Sequence, residues 1–248
     1  MLLSKNSINQ FEEWLNTARD TGGMLLIDKD LNWTSFDVIA KLRNLFKIKK
    51  IGHAGTLDPL ASGLLIVCCG KFTKRINEFQ GLDKTYLAKI KLGATTETDD
   101  SEKPEENIRD YSFVTGTNID DVCRSFEGEI MQTPPKYSAK KVKGKRLYKL
   151  ARKGIDVDIK PVKVFVEYIK VLSRDLPYFE TEIKCSKGTY IRALARDIGE
   201  QLNTGAYLAA LRRTAIGDFS VNDALTISDI EQLIKNIDSN SAVKNESI

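Results

Sequence analysis

Phe11, Trp14, Leu15 and Ala18 recur three and four positions apart, the spacing of one face of an α-helix. Ser7 with Gln10 forms a capping-box pattern just ahead of them. Gly22 and Gly23 end that helix, and the apolar run Met24 to Ile27 predicts a short buried strand. Thr34 and Asp37 predict the cap of a second helix, with Phe36, Ile39, Leu42 and Phe46 facing inward. Leu64 to Cys69 reads as a strand, and Tyr86, Ala88, Ile90 and Leu92 alternate with the period of a half-buried one. Ile119, Val122, Cys123 and Phe126 predict a helix ended by Gly128. Val162, Val164 and Val166 predict a strand, and Phe179, Thr181, Ile183 and Cys185 another. Ile191, Leu194, Ala195 and Ile198 line a helix after Gly188, and Ser228 with Glu231 caps a last one through Ile237. Strands and helices are interspersed without a regular βαβ repeat, so a mixed α+β fold is expected. Residues 1–21 read as a helical extension, 22–235 as the main domain and 236–248 as a polar tail.

Of 248 residues 42% are hydrophobic and 29% charged, an ordinary composition for a soluble globular chain. The longest apolar run, Leu64 to Cys69, falls far short of the roughly 20 residues a membrane helix needs. Met1 to Leu15 offers no signal-peptide core or cleavage site, so a cytoplasmic protein is expected. Cys68, Cys69, Cys123 and Cys185 contain no C-x-x-C pair, which argues against zinc and redox chemistry and for reduced core thiols. His53 is the single histidine, so any mechanism needing two is excluded.

Charge adds a partner class. Nine of the 38 basic residues lie between Lys136 and Lys153 with no acidic residue among them; removing nine leaves 29 basic against 34 acidic. Tyr137 and Tyr148 are interleaved in that stretch, and Lys41 to Lys50 holds five more positive residues. Such a concentration suits a polyanion such as nucleic acid, because each neutralised phosphate releases counterions; a solvated basic face is the plainer alternative. The acidic stretch Glu97 to Asp110 lacks EF-hand spacing and reads as a solvated loop.

The segment Ile51 to Gly63, IGHAGTLDPLASG, reads as a loop. Pro59 biases Asp58 toward extended geometry, and the glycines allow tight turns on both sides. It is neither a P-loop nor a dinucleotide fingerprint. Taken alone, Asp-Pro among glycines is most often a turn. A lone carboxylate without metal or cofactor could also attack an electrophilic sugar carbon, as in retaining glycosidases, if kept ionised by an arginine. Arg192, after a strand and at a helix start, is a candidate for that arginine, or simply a surface residue. Tyr86 could stack on a base or sit in the core, and His53 could touch substrate or only hold the turn.

Gly52 to Pro59, GHAGTLDP, closely resembles the catalytic motif of the bacterial TruB family of tRNA pseudouridine-55 synthases. Four more blocks agree in order: Leu25 to Lys29 with Thr34-Ser35; Asp83 to Tyr86; Pro135 to Ala139 through Leu147-Tyr148 and Ala151-Arg152; and Cys185 to Arg192. Gly205-Ala206 with Leu211-Arg212-Arg213 also fits. By that resemblance Asp58 is the nucleophile, Tyr86 stacks on the target base and Arg192 pairs with the aspartate. His53, Lys29, Tyr190 and Leu211 line or support the pocket. The resemblance implies a mixed, mainly antiparallel sheet with flanking helices and an RNA-gripping insertion near 131–153, with Lys140, Lys143 and Lys145 as RNA contacts. The substrate implied is the TΨC stem-loop of tRNA, with no cofactor, no metal, no membrane and no obligate protein partner, and a monomer is expected.

The chain departs from the family pattern at three places. Asp30 and Asn32 stand where proline and glycine are usual, although asparagine tolerates a left-handed turn. Thr96-Glu97 replaces a threonine-aspartate pair, while Asp100 still fits. From its length the chain is also expected to lack the small C-terminal RNA-binding domain that many members carry. Two rival readings remain beside uridine-55 isomerisation: an RNA-binding or RNA-folding protein without turnover, and a synthase of this family acting on another uridine.

Overall fold

A computed structural model describes residues 1–138, 140–142, 144–155 and 157–245. Backbone contacts divide the chain into two units, Met1–Leu82 with Arg212–Ile248, and Asp83–Leu211.

In the first unit the strand Gly23–Lys29 pairs antiparallel with Ala61–Cys69, and Leu2–Leu3 runs parallel along its other edge. Both central strands extend beyond their apolar runs because both of their faces are covered. Leu25, Ile27, Leu65 and Val67 join one core with Phe11, Trp14, Ile39, Leu42 and Phe46. Met24, Leu26, Leu64 and Ile66 join a second with Ala54, Phe79 and Ile216. That two-sided burial explains why the segment reads as a continuous apolar run rather than an alternation. Cys68 and Cys69 lie inside it, their thiols pushed by burial up to about 11 and about 12. They are inert core groups, as the spacing predicts.

The N-terminal helix Phe11–Asp20 buries Phe11, Trp14, Leu15 and Ala18 as expected, but its cap differs. A 3-10 turn Lys5–Gln10 precedes it, and Ser4 with Ser7, not Ser7 with Gln10, makes the reciprocal capping contacts. The helix Ser35–Phe46 carries the expected Thr34–Asp37 box. Its buried face is Ser35, Val38, Ile39, Leu42 and Phe46, so Phe36 falls off the inward face and is 67% exposed, contrary to the expectation. The last helix runs Ile227–Asn245, well beyond Ile237 and into the expected tail, and Thr226 with Asp229, not Ser228 with Glu231, makes its capping contacts.

In the second unit the antiparallel order is Lys84–Leu92, Tyr178–Cys185, Val162–Asp175, Gly128–Gln132. Alternate residues Tyr86, Ala88, Ile90 and Leu92 are buried, as their period predicts. The helices are Gly116–Ser125 and Ile191–Gln201. The basic segment forms a small antiparallel hairpin, Lys141–Val142 with Lys145–Arg146, followed by the helix Leu147–Ala151. The strand Ala206–Ile216, which the sequence pattern did not reveal, carries the chain from the second unit back to the first. The fold class is α+β with mainly antiparallel pairing, as expected. Among the described residues no helix is long and apolar enough to cross a membrane.

Candidate active site

In the first unit the motif loop is shorter than its sequence suggests. Ile51–His53 is a strand paired with Val67 to Cys69, and the next strand starts at Ala61, so the loop proper is 54–60. Ala54 donates to the Ile66 carbonyl at 2.9 Å and seats its own side chain in the core. Gly55 turns with φ of 102°, a conformation that favours glycine. Beyond it, the Ser35 hydroxyl accepts the Leu57 N–H at 2.9 Å and donates to the Leu57 carbonyl at 3.1 Å. The Asp58 carbonyl accepts from Ala61 at 3.0 Å, and the Pro59 carbonyl accepts from Asn32 at 2.8 Å. Asn32 has φ of 64°, so the left-handed turn that asparagine tolerates does form here. Asp58, half-buried, therefore has both flanking residues fixed from the neighbouring helix start and turn.

Arg213 supplies the third anchor. Its side chain is buried, donating to the Leu64 carbonyl at 2.8 Å, to Gly55 at 3.2 Å and to Thr56 at 3.5 Å. Gly63 makes that approach possible: a Cβ there would meet the Arg213 carbonyl at 2.2 Å. Arg212 forms a two-pronged pair with Asp28 at 3.0 and 2.6 Å. Neither Arg213 nor Ser35 stood out as a site residue in the sequence, since a buried side chain that holds backbone groups leaves no charge pattern to find.

Lys29 is fully buried and donates to the carbonyls of Trp33 at 2.6 Å and Asp30 at 2.9 Å. Burial pulls its pKa down to about 8, opposed first by the negative charge of Asp58 and then by that of Asp30. A buried ammonium thus stands within electrostatic reach of the candidate nucleophile. His53 is lowered too, by burial first, with the Gly55 backbone opposing and Arg213 adding to the effect. Its buried Nδ1 makes no hydrogen bond of good geometry, although Gly55 lies close enough to favour the charged ring. At neutral pH the ring is uncharged.

The second unit holds the remaining sequence candidates. Tyr86 sits on the strand Lys84–Leu92 opposite Ile183, 9% exposed. The strand Tyr178–Cys185 turns at Gly188 into the helix Ile191–Gln201, which starts at Tyr190. Gln132 fixes that start: its side chain accepts from the Tyr190 N–H at 2.8 Å and donates to the Tyr190 carbonyl at 3.1 Å. Arg192, buried, donates to the carbonyls of Thr98 and Tyr137, both at 2.9 Å, and stands 3.6 Å from the Asp100 carboxylate. Asp100 is itself held by the Thr98 hydroxyl at 2.6 Å. Glu97, the departure from the family pattern, accepts from the Tyr137 hydroxyl at 2.6 Å and so ties down the start of the basic segment. Leu211 is half-buried in the strand Ala206–Ile216. Lys140 donates to the Lys160 carbonyl at 3.4 Å, Lys145 is exposed, and Lys143 lies outside the described residues. Among the described residues no cluster of three histidine, cysteine or acidic side chains is placed to hold a metal.

Comparison with known proteins bears on this arrangement. A sequence model described as the N-terminal domain of the TruB family pseudouridylate synthases matches residues 43–191. One described as the tRNA pseudouridylate synthase B C-terminal domain matches residues 192–245. A tRNA pseudouridine synthase B of Parabacteroides distasonis is 46% identical over 220 residues, covering 86% of this chain and 94% of that one. Its namesake from Chloroherpeton thalassium is 44% identical over 236 residues, covering 92% and 97%. In structure the chain is similar to one in the crystal structure of a Cbf5-Nop10-Gar1 complex, with a TM-score of 0.68 and 29% identity. That likeness covers 88% of this chain and 56% of the other, so the chain spans little more than half of that relative's length. The motif loop around Asp58 lies wholly inside the matched span, and the chain belongs to the TruB family of pseudouridylate synthases.

Proposed function

We propose that the chain isomerises uridine 55 in the TΨC arm of tRNA to pseudouridine, in the cytoplasm, with Asp58 as the nucleophile. The C1′–N1 glycosidic bond breaks and a C1′–C5 bond forms; the C5 hydrogen leaves as a proton and N1 takes one up. No electrons are exchanged, so the isomerisation is self-contained. The observation that carries the reading is the Asp58 loop, held by Ser35, Asn32 and Arg213 so that one carboxylate keeps a fixed place. A nucleophile that must meet C1′ at close range gains from such fixing.

Tyr86 is assigned the stacking role on the flipped-out uracil and Arg192 the guanidinium that favours an ionised carboxylate. Lys29, His53, Tyr190 and Leu211 are assigned to the pocket wall, and Lys140, Lys143 and Lys145 to the RNA backbone. The names of the curated relatives support tRNA as the substrate. A tRNA transcript carrying tritium at uridine C5 tests the proposal. Wild-type protein releases one tritium per tRNA and none from a transcript with cytidine at position 55. Release from both transcripts would move the target to another uridine, and tight binding without release would favour an RNA-binding protein without turnover.

A further inference from the structure

Phe36 is 67% exposed and Leu31 54% exposed, although the first lies in a helix whose other large apolar side chains turn inward. Scattered exposed apolar residues are ordinary on a protein surface. These two differ in what their neighbours hold. Phe36 follows Ser35, whose hydroxyl bonds both backbone groups of Leu57. Leu31 precedes Asn32, whose N–H bonds the Pro59 carbonyl. Leu57 and Pro59 flank Asp58, so each exposed side chain is one residue away from a contact to a neighbour of the candidate nucleophile. Both are thereby carried on the same fixed framework as the carboxylate.

We propose that Phe36 is a stacking residue for an unpaired nucleobase of the substrate RNA adjacent to the target uridine, with Leu31 as an apolar flank. The inference rests on the tRNA reading above. Lifting a uridine out of a folded loop leaves its neighbours with uncovered π-faces, and single-stranded bases gain substantially by stacking on aromatic side chains. A phenyl ring exposed on the residue that follows Ser35, which holds Leu57 next to the reacting carboxylate, meets that need, whereas burying it in the helix-packing core would not. An RNA base is favoured over a protein partner because Phe36 and Leu31 each adjoin a residue bonded to the reactive loop, which the RNA itself must reach.

The test compares Phe36→Ala, Phe36→Leu and Phe36→Tyr for KM and kcat by tritium release and for Kd on the same unmodified transcript. Phe36→Ala raises KM and Kd about 5- to 150-fold, the range that removing one aromatic–base stack spans. Phe36→Leu stays close to the alanine variant, and Phe36→Tyr returns to wild type. Melting temperatures stay together, because an exposed ring contributes little to the core. An unchanged KM and Kd in Phe36→Ala would overturn the proposal, as would full rescue by leucine, which covers surface but has no π-face. Wild-type protein without tritium release would instead count against the tRNA reading, and the Kd comparison would still decide the role of Phe36.

Discussion

The Asp58 loop and the basic segment Lys136 to Lys153 solve opposite problems with opposite means. Seven residues of loop are pinned by a buried arginine, a serine hydroxyl and a left-handed asparagine turn, with net charge playing a minor part. The basic segment instead concentrates nine cations within eighteen residues of sequence, and of these Lys136, Lys145, Lys149, Arg152 and Lys153 are exposed. Reaction at one sugar carbon demands position, since a misplacement of about 1 Å can cost on the order of 100-fold in rate. Holding a polyanion demands only charge, spread over many interchangeable contacts.

The largest contrast between the two regions comes from Asp58→Asn. Turnover falls by on the order of 1000-fold or more while tRNA affinity changes little, measured as kcat against Kd. An equal loss in both quantities would make Asp58 a binding or folding residue. Arg213→Leu comes next, because it leaves three backbone carbonyls without their buried donor. It costs about 3 kcal/mol or more in urea unfolding, with kcat falling alongside. A variant as stable as wild type would show the loop to be fixed by other means.

Lys29 gives the comparison a pH signature. Its pKa is about 8 in the folded chain against 10.5 unfolded, so the unfolded chain binds the extra proton between those values. Its contribution makes stability rise with pH across that window and leaves it flat below pH 8. Lys29→Met removes that rise, which denaturant midpoints taken from pH 7 to 10 would reveal; parallel profiles for the two proteins would contradict it.

Ser35→Ala removes the two hydrogen bonds that hold Leu57 and costs about 1–2 kcal/mol, again read by unfolding. The smallest effect belongs to the basic segment. Replacing Lys140 and Lys145 by glutamine weakens tRNA binding modestly and flattens the slope of log Kd against log salt by about one for each phosphate no longer neutralised. It leaves kcat at saturating tRNA unchanged. An unaltered slope would take this segment out of the interface.

Much of this was legible in the sequence because periodicity records burial. Tyr86, Ala88, Ile90 and Leu92 alternate and are buried on one face, and Trp14 and Leu42 fall on the inward sides of their helices. Caps were less legible: Ser7 and Ser228 both have acceptable partners three residues on, and only tertiary placement selects Ser4 and Thr226 instead. Phe36 misled because an aromatic residue near a helical repeat reads as core, while its angular position one step past Ser35 turns it outward. The strand Ala206–Ile216 is hidden in the sequence because Arg212 and Arg213 interrupt its apolar pattern, although the fold pairs Arg212 with Asp28 and buries Arg213 against the motif loop. The motif residues themselves were readable, but what holds them was not, because Ser35, Gln132 and Arg213 act through backbone groups that every residue possesses.

The most direct test of the central claim is pseudouridine mapping on an unmodified tRNA transcript, with wild-type and Asp58→Ala proteins in parallel. Carbodiimide labelling and reverse transcription read the modified position. Wild-type protein gives a stop at position 55, and Asp58→Ala gives none despite comparable tRNA binding. The same stop with both proteins would show that the carboxylate at the centre of the pinned loop is not what breaks the glycosidic bond.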